Sequence, residues 1–430
     1  MRVRLALVVL IFGVGFALFW RARQDDFPAR PDSEETLPVT AERLDEEGDS
    51  ASEAPVSAAT AAVTMRVSLT NSARKAFQFS CSAPFEVYLN RDDAPLRTLE
   101  PIIREVDVKA TSDATGIQLG AEALPANLIR LKTDASPDFW VNDHQYRGEI
   151  WFHRLESGRL IAVNHVPLEA YLGSVVDSEM PASFPDEARK AQAIIARTYA
   201  LFRRQETADE PYFDLYATTL SQQYLGMQYR AGDGRRLAGE SAISRRLARE
   251  TAGQVCLYEG ELFSTYYSAV CGGETTEGLM LFPDAVPLLK SVHCDYCAAA
   301  DLYKWERKYS VANASEYLSR EFLRRGARFG KLTACENLSN KSGPSARFRF
   351  SDGRTTQTLN GQQIRTLFPD MPSPTFTLEL KDDQLRFHGA GHGHGVGLCQ
   401  WGARGMAIEG KTVEEILEHY YPGVTIAEYA

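Results

Sequence analysis

The chain has 430 residues, enough for two or three domains, and its 44% hydrophobic and 24% charged residues are ordinary for a globular protein. Its net charge of −10 at pH 7 argues against a nucleic-acid partner, because such a partner requires a basic face. The charge leaves a glycan substrate open, since sugars are recognised by aromatic rings and hydrogen bonds rather than by bulk charge.

The N-terminus has the pattern of a targeting segment. Arg2 and Arg4 precede an apolar run from Leu5 to Trp20, which is typical of a signal peptide or a signal anchor. No small-residue cleavage site closes the run, and arginines follow Trp20. We therefore predict an anchor over residues 1–23, which makes this a single-pass protein of the cell membrane with its body outside the cytoplasm. A cleaved signal peptide is the alternative.

The next two segments differ sharply in composition. Residues 24–64 are rich in Asp, Glu, Ser, Ala and Pro and poor in large apolar side chains, so we predict an acidic, disordered linker. Residues 65–145 contain short alternating or aromatic-rich segments, such as FEVYL and LIRLKT, separated by turn signals. They predict an N-terminal β-rich part, and we assign residues 146–430 to one domain that carries the functional residues.

Two amphipathic patterns meet within residues 166–202. Both have apolar residues at helical spacing, and the second opens at Pro185 with acidic residues in its first turn. Pro181 prevents one continuous helix, because the residue before a proline avoids the α region. The pattern therefore predicts two helices with Glu179 at the C-terminal end of the first.

Glu179 is chemically suggestive at that position. A proton donor near neutral pH needs its carboxyl pKa raised by roughly two units, or about 2.7 kcal/mol. The negative end of the helix dipole supplies only about 0.3–1 kcal/mol. Burial or a bound substrate must supply the rest. An exposed acid at a helix end is the alternative interpretation.

The remaining chain mixes strands and helices. A hairpin is expected with its turn at Glu259-Gly260, and seven glycines between 389 and 405 precede a final helix with a Thr412–Glu415 capping box. Between them we predict helices near 314–325 and 361–368, strands at ARFRF and TQTLN, and a closing hairpin at FTLELKDDQLRFH. The predicted fold class is α+β: a mixed, β-rich body, a central helical segment, and a C-terminal glycine-rich segment followed by helices.

Three segments resemble the SpoIID/LytB family, whose members cleave peptidoglycan or help to cleave it. They are LEAYLGSVVDSEMP with EARKAQAIIARTYAL, then TTLSQQYLGMQ, and then GAGHGHGVGLCQWGAR with ILEHYYPG. The resemblance covers roughly residues 146–424.

The resemblance implies that Glu179 is the acid/base of a lytic transglycosylase. Such an enzyme cleaves the bond between N-acetylmuramic acid and N-acetylglucosamine and leaves a 1,6-anhydro sugar, on strands that we expect to be denuded of stem peptides. The substrate-binding residues implied by the matching motifs are Arg197, Ser221, Gln223, Ser268, His394 and Gln400.

Several alternatives stay open at this stage. Arg197 would equally brace the turn, and His394 and Gln400 would equally be structural. Tyr266, Tyr267, Trp401 and Tyr420 are interpreted as core residues. For the whole protein, the alternatives are a non-catalytic enhancer that stimulates a cell-wall N-acetylmuramoyl-L-alanine amidase, and a wall-binding module without activity.

A metal site is the last expectation. The cysteines lie at positions 81, 256, 271, 294, 297, 335 and 399. The His293-Cys294-x-x-Cys297 element resembles the zinc site of some SpoIID proteins, and zinc prefers four nitrogen or sulfur ligands. We therefore expect Cys271, His293, Cys294 and Cys297 to hold a structural zinc, with a disulfide from Cys271 as the alternative. No organic cofactor is expected.

Overall fold

The structure is a computed structural model that describes residues 63–113, 115–133 and 139–429. The predicted anchor and residues 24–62 of the predicted linker lie outside the described residues. Within the described part, none of the helices combines the length and the apolar character needed to cross a membrane.

The predicted α+β class is confirmed, with seven α-helices and 26 strands in the described part of the chain. The helices are α1 (Leu168–Glu179), α2 (Asp186–Glu206), α3 (Ala242–Glu250), α4 (Val311–Arg324), α5 (Gly361–Leu367), α6 (Gln400–Ile408) and α7 (Val413–Tyr420). The strands of the first half are β1 (Thr64–Ser68), β2 (Ala76–Cys81), β3 (Phe85–Leu89), β4 (Arg97–Leu99), β5 (Ile102–Ala110), β6 (Ile117–Leu119), β7 (Glu122–Leu124), β8 (Leu128–Lys132), β9 (Phe139–Val141), β10 (His144–Tyr146), β11 (Glu149–Arg154), β12 (Leu160–Pro167) and β13 (Leu215–Tyr216). Those of the second half are β14 (Gln228–Arg230), β15 (Arg236–Ala238), β16 (Gln254–Tyr258), β17 (Glu261–Leu262), β18 (Tyr267–Ser268), β19 (Lys304–Ser310), β20 (Ala334–Asn337), β21 (Arg347–Ser351), β22 (Thr356–Asn360), β23 (Phe376–Lys381), β24 (Gln384–Ala390), β25 (Leu398–Cys399) and β26 (Thr425–Glu428).

Two large sheets form the N-terminal half. One has the order β13-β1-β12-β11-β8-β3-β4, and the other has the order β15-β14-β10-β9-β2-β5-β6-β7. Because side chains alternate along a strand, each sheet turns one apolar face into a shared core. Phenylalanine rings fill this core; Phe79 lies 5.5 Å from Phe85 and 6.3 Å from Phe152.

Both sheets contain strands from the two sides of the domain boundary that the sequence predicts at residue 146. β1 pairs antiparallel with β12, and β10 pairs antiparallel with β14. Strands from both sides of the boundary therefore complete the same two sheets. The β-rich part and the start of the second segment share one core, since sheet hydrogen bonding connects strands that are distant in the chain.

α1 and α2 follow the predicted pattern closely. Met180 adopts an extended backbone (φ −130°, ψ 129°), which ends α1 directly after Glu179. Pro185 precedes the first residue of α2, and Asp186 and Glu187 lie in its first turn. α2 contacts α1, α3, α6 and α7, so the ends of these helices are held around one central element.

Two further cores complete the described chain. One joins α2 to α6 and α7 and includes five buried cysteines. The other belongs to residues 304–390, which form a separate unit of β19–β24 with α4 and α5; we call this unit the inserted subdomain. Its two helices, its paired strands and its closing hairpin confirm the elements predicted there, and the Glu259-Gly260 hairpin and the Thr412 capping box are confirmed as well.

Candidate active site

A short parallel strand pair builds the site. In it, Tyr267 of β18 lies opposite Leu398 of β25. The chains approach so closely that a Cβ on Gly397 would lie 1.9 Å from the carbonyl oxygen of Tyr266, and the backbone of Gly397 has φ +70°. Only glycine accepts both conditions without strain. The pairing brings Tyr267 and Gln400, which begins α6, to the end of α1.

The carboxyl of Glu179 lies at the centre of this arrangement. Its Oε1 accepts a hydrogen bond of 2.8 Å from the backbone N–H of Gln223. The side chains of Tyr267 and Gln400 also face the carboxyl. The hydroxyl of Tyr267 is within reach of Glu179 and Gln222 but is not well aligned with either. Glu179 is partly exposed as a residue, although its carboxyl is buried.

Burial raises the pKa of the Glu179 carboxyl above its ordinary value of 4.5. The hydrogen bond from Gln223 and the nearby side chains of Tyr267 and Gln400 act in the opposite direction and lower the pKa, but burial is the larger effect. The shift therefore makes the protonated form more favourable than in a free carboxyl, and donors that can hold the anion surround the group. Both properties suit a group that gives up a proton and takes one back.

Polar side chains surround this carboxyl, and some of their atoms lack partners. Gln400 Nε2 donates to Gln192 Oε1 at 3.3 Å, and Tyr171 donates from its hydroxyl to Gln222 Oε1 at 3.1 Å. Gln192 Nε2 and Ser268 Oγ are buried and have no hydrogen-bond partner among the described residues. Buried polar atoms are almost always satisfied, so unpaired ones beside a buried acid suggest a polar ligand or water.

His394 lies next to this shell as a neutral side chain. Burial lowers the pKa of its imidazole to about 4. Its Nδ1 accepts a hydrogen bond of 3.0 Å from the backbone of Val396, and its ring meets Tyr266 and Phe282 edge-on. The imidazole therefore supports the stacked pair of Tyr266 and Phe282, whose ring centroids are 3.9 Å apart.

The other residues predicted at the site divide into two groups. Gln223 and Gln400 belong to the surroundings of Glu179, although Gln223 reaches it through its backbone, whereas Ser268 follows Tyr267 in β18 opposite Cys399. Ser221 lies in the same loop, and its hydroxyl accepts a hydrogen bond of 3.1 Å from the backbone of Tyr216. That bond makes Ser221 a brace of the loop.

Arg197 requires a correction, because the structure gives it a structural contact in place of the predicted substrate contact. Its guanidinium is fully buried and forms a two-pronged ion pair with Glu169, at 2.9 and 2.7 Å. It also donates to the carbonyl oxygens of Ala248 and Gln254. Arg197 thus ties α1 and α2 to the end of α3, in agreement with the alternative that it braces this region.

Another acidic residue of α1 is also paired with a buried arginine. Asp177 forms an ion pair with the fully buried Arg189 and accepts a hydrogen bond from the backbone of Ser241. Of the three acids on this helix, Glu169 and Asp177 each have an arginine partner, whereas Glu179 has none among the described residues. The difference makes Glu179 the candidate for proton transfer.

A cluster of four cysteines lies directly behind the site. The sulfur atoms of Cys271, Cys294, Cys297 and Cys399 lie within 4.8 Å of one another, and all four residues are buried. Cys271 and Cys297 are 3.6 Å apart, too far for a disulfide bond. His293, predicted as a ligand, lies outside this cluster: its imidazole is 74% exposed and bonds Asp295. The fourth member of the cluster is Cys399.

Two shallow surface hollows lie elsewhere. One of about 340 Å³ is lined by Lys331–Thr333 and Leu380–Asp383, and one of about 550 Å³ is lined by residues around Arg97 and Leu119. Neither includes Glu179. The polar contacts of Glu179, rather than either hollow, define the candidate site.

Sequence reasoning missed Tyr267, Gln222 and Cys399. Tyr267 was interpreted as a core residue, although it stands beside Ser268, which was predicted at the site. Cys399 immediately precedes Gln400 within the glycine-rich motif, and this adjacency was an available signal. Because Cys399 lies far along the chain from the other three cysteines, the sequence did not indicate that it joins their cluster.

Comparison with known proteins gives consistent matches. The family model described as stage II sporulation protein (SpoIID) matches residues 156–258, and a domain of unknown function (DUF8618) matches residues 288–397. The chain is 33% identical to an uncharacterised protein of Brachyspira hyodysenteriae over 293 residues, which are 68% of this chain and 74% of that protein.

Two further relatives carry functional names. Stage II sporulation protein D of Bacillus subtilis is 29% identical over 271 residues, covering 62% of this chain and 76% of that protein. An amidase enhancer of Bacillus subtilis is 25% identical over 302 residues, covering 60% of this chain and 40% of that protein. The SpoIID model match includes Glu179, its surrounding helices and the loop of Gln223.

Proposed function

The chain belongs to the SpoIID family, which has a cell-wall-related role, and on that basis we propose that it is a peptidoglycan lytic transglycosylase. The proposed substrate is a glycan strand denuded of stem peptides, cleaved between N-acetylmuramic acid and N-acetylglucosamine. One observation carries the proposal: Glu179 has a buried carboxyl of raised pKa among hydrogen-bond donors, with no arginine beside it among the described residues.

The proposed reaction uses this carboxyl twice. The protonated Glu179 donates its proton to the glycosidic oxygen as the bond to the anomeric carbon breaks. The resulting carboxylate then takes the proton of the 6-hydroxyl of N-acetylmuramic acid, and that oxygen closes onto the anomeric carbon. The product is a 1,6-anhydro sugar, and no water is consumed. The N–H of Gln223 and the side chains of Tyr267 and Gln400 stabilise the carboxylate between the two steps.

Among the described acids of α1, only Glu179 lacks an arginine partner, and this favours the route over hydrolysis. Glycoside hydrolases usually need two carboxyl groups that flank the bond. The neighbouring acids on α1 are held in ion pairs with buried arginines, Glu169 by Arg197 and Asp177 by Arg189. Carboxylates held in these ion pairs are occupied by their arginines and are not free to flank a glycosidic bond.

Incubation with purified, peptide-free glycan strands, followed by mass analysis of the products, tests the proposal. We expect fragments that end in 1,6-anhydro-N-acetylmuramic acid, and we expect none with Glu179→Gln. Reducing ends that have gained water would show a hydrolase instead. Anhydro products at an unchanged rate from Glu179→Gln would exclude the assigned role of Glu179.

A second candidate function is supported by the relative named an amidase enhancer. Leu220, Leu279 and Met280 are more than half exposed on the loops that lead to Gln223 and to Phe282, where a partner protein could dock. An enhancer would raise the rate of a purified N-acetylmuramoyl-L-alanine amidase on intact peptidoglycan without forming anhydro ends. Equal stimulation by wild-type protein and Glu179→Gln would favour this function over the enzyme.

We further propose that the four cysteines hold a structural zinc ion. In a tetrahedral site with zinc–sulfur bonds of about 2.3 Å, sulfur atoms lie about 3.8 Å apart, which is close to the 3.6 Å between Cys271 and Cys297. Backbone N–H groups of Cys271 and Gly402 donate to Cys399 Sγ, and the hydroxyl of Tyr420 contacts Cys294 Sγ. Such donors orient thiolate ligands. Because Cys399 precedes Gln400, the ion would fix the start of α6 beside Glu179.

Elemental analysis of protein purified under reducing conditions tests the zinc proposal. We expect about one zinc per chain, loss of zinc in Cys399→Ser, and retention in the matched control His293→Ala. Zinc loss in His293→Ala alone would restore the ligand set predicted from sequence. A disulfide among the cysteines without bound metal would exclude the zinc site.

The cellular location is also a proposal. It rests on the basic start and apolar run of residues 1–23 and places the body outside the cytoplasm at the cell membrane. We expect the full-length chain to remain with membranes after alkaline washing and a chain lacking residues 1–23 to be released. Release of both would exclude the anchor.

A further inference from the structure

Arg404 forms a group with two aromatic rings at one side of the site. Its guanidinium lies 5.1 Å from the ring of Trp401 and 5.6 Å from the ring of Phe184. The two rings meet nearly at right angles, with centroids 5.4 Å apart. Trp401 and Arg404 are partly exposed, so the group is open to solvent.

This group adjoins Glu179 through two elements. Arg404 follows Gln400 by four residues in α6, so the two side chains lie one turn apart on the same helix face. Gln400 faces the carboxyl of Glu179. Phe184 lies in the turn that connects Glu179 to α2. The group therefore lies beside the proposed reaction centre along both the helix and the turn.

The charge of Arg404 is uncompensated in the structure. Arg404 has no ion pair or hydrogen bond with any described residue, whereas Arg189 and Arg197 nearby are both paired with acids. A guanidinium presents donors in a planar fork that matches a carboxylate, and it keeps this capacity when it stacks on an aromatic ring. An unpaired guanidinium beside a tryptophan thus offers an anionic contact and an apolar surface together.

We propose that Arg404, with Trp401 and Phe184, forms a subsite for the lactyl carboxylate of a muramic acid residue in the glycan strand. The inference rests on the proposed function for its substrate. The lactyl group ends in a carboxylate when the stem peptide has been removed, and in a neutral amide when the peptide is attached. Arg404 pairs with the first form and loses its ionic partner in the second. Because of this subsite, peptide-free strands bind more tightly than strands that carry stem peptides.

Binding measurements on the full-length chain test the subsite. Glu179→Gln serves as the parent so that the strands are not consumed. The probes are peptide-free strands with free lactyl carboxylates and the same strands with those carboxylates converted to methylamides. We expect Arg404→Gln to weaken binding of the carboxylate strands about tenfold and to leave binding of the methylamide strands unchanged.

Two further variants provide controls. Arg404→Lys keeps the charge but not the planar fork, so binding should fall between the parent and Arg404→Gln. Arg328→Gln removes an exposed arginine of the inserted subdomain and should leave both affinities unchanged. The thermal unfolding midpoint of each variant establishes that it is folded.

If Arg404→Gln weakened binding of the carboxylate and methylamide strands equally, Arg404 would be a packing residue and the subsite would be excluded. Unchanged binding by Arg404→Gln, or no binding of either strand by the parent, would also exclude the subsite. The reaction is tested separately. Anhydro products from wild-type protein without a carboxylate-selective effect of Arg404→Gln would exclude the subsite and retain the enzyme. Carboxylate-selective binding without anhydro products would retain the subsite and exclude the reaction.

Discussion

Two glutamates at opposite ends of α1 have opposite electrostatic surroundings. Glu169, in the first turn, is held by the two-pronged contact of the buried Arg197. Glu179, the last helical residue, meets only neutral donors among the described residues, namely the N–H of Gln223 and the side chains of Tyr267 and Gln400. Both belong to the same helix, so the helix itself does not decide their chemistry.

The difference shows what an acid requires for each role. A carboxylate beside a buried arginine is fixed in its charged form, and the pair contributes to the architecture. A buried carboxyl without a cation has its pKa raised and becomes a proton donor. The helix dipole also favours the proton at Glu179 but contributes only about 0.3–1 kcal/mol. Burial is the larger contribution, as the direction of the pKa shift indicates.

The largest expected effect comes from Glu179→Gln. This change keeps the size and a hydrogen-bond acceptor but removes the exchangeable proton, so we expect anhydro-product formation to fall by about a thousandfold or more. Stability should not fall, because burial disfavours the charged carboxylate and glutamine is neutral. Product mass analysis and urea unfolding measure the two effects. A large loss of stability with retained turnover would reverse the roles of the two glutamates.

Glu169→Gln should show the opposite pattern. It leaves the fully buried Arg197 without its counter-ion, and we expect the free energy of unfolding to fall by about 3 kcal/mol. The protein that remains folded should keep its turnover per molecule. Urea unfolding compares it with Glu250→Gln, which removes an acid from a surface ion pair and should cost less than about 1 kcal/mol. Equal stability of both variants would contradict the structural role of the Glu169–Arg197 pair.

The stability of the protein should depend on pH through Glu179. Its folded-state pKa is raised above 4.5, so the unfolded chain releases this proton first as pH rises. Relative to Glu179→Gln, the wild-type protein should therefore lose stability from about pH 4.5 up to the folded-state pKa, and the difference should be constant above that. Urea unfolding of both proteins across this range measures the effect. A wild-type protein that gains relative stability over the same range would show a stabilised carboxylate instead.

The smallest expected effect comes from Tyr267→Phe. The Tyr267 hydroxyl lowers the pKa of Glu179, so its removal should raise that pKa further and move the alkaline limb of the activity profile to higher pH by less than about one unit. Turnover at the optimum should fall less than tenfold. Tyr266→Phe is the matched control, because that hydroxyl donates to Asp284. A limb that stays in place, or moves to lower pH, would exclude contact between Tyr267 and Glu179.

Local patterns predicted the elements around the site well. Proline at 181 and 185 and the spacing of apolar residues gave α1, the turn and α2 nearly to the residue. These signals succeed because they act on neighbouring residues: a proline restricts the residue before it, and one helix face must be apolar to be buried. The family resemblance added the role of Glu179, which no local pattern contained.

Contacts between distant segments were harder to predict. Cys399 joins Cys271 although 128 residues separate them, and Tyr267 reaches Glu179 only because β18 pairs with β25. The family motif indicated that Arg197 is important, but it did not indicate which group Arg197 contacts. The sequence shows a positive charge at this position whether the side chain contacts a substrate or Glu169. Only the packing of the folded chain determines which contact forms.

The sequence by itself determined where the helices begin and end, that Glu179 lies at a helix terminus, and which family motifs surround it, because these properties depend on residues close in the chain. Only the tertiary structure decided which carboxyl has a raised pKa, which arginine is held by an acid and which four cysteines converge. Burial, ion pairing and the clustering of cysteines are properties of atoms that meet in space: Glu169 and Arg197 are 28 positions apart in the chain, and Cys271 and Cys399 are 128 apart.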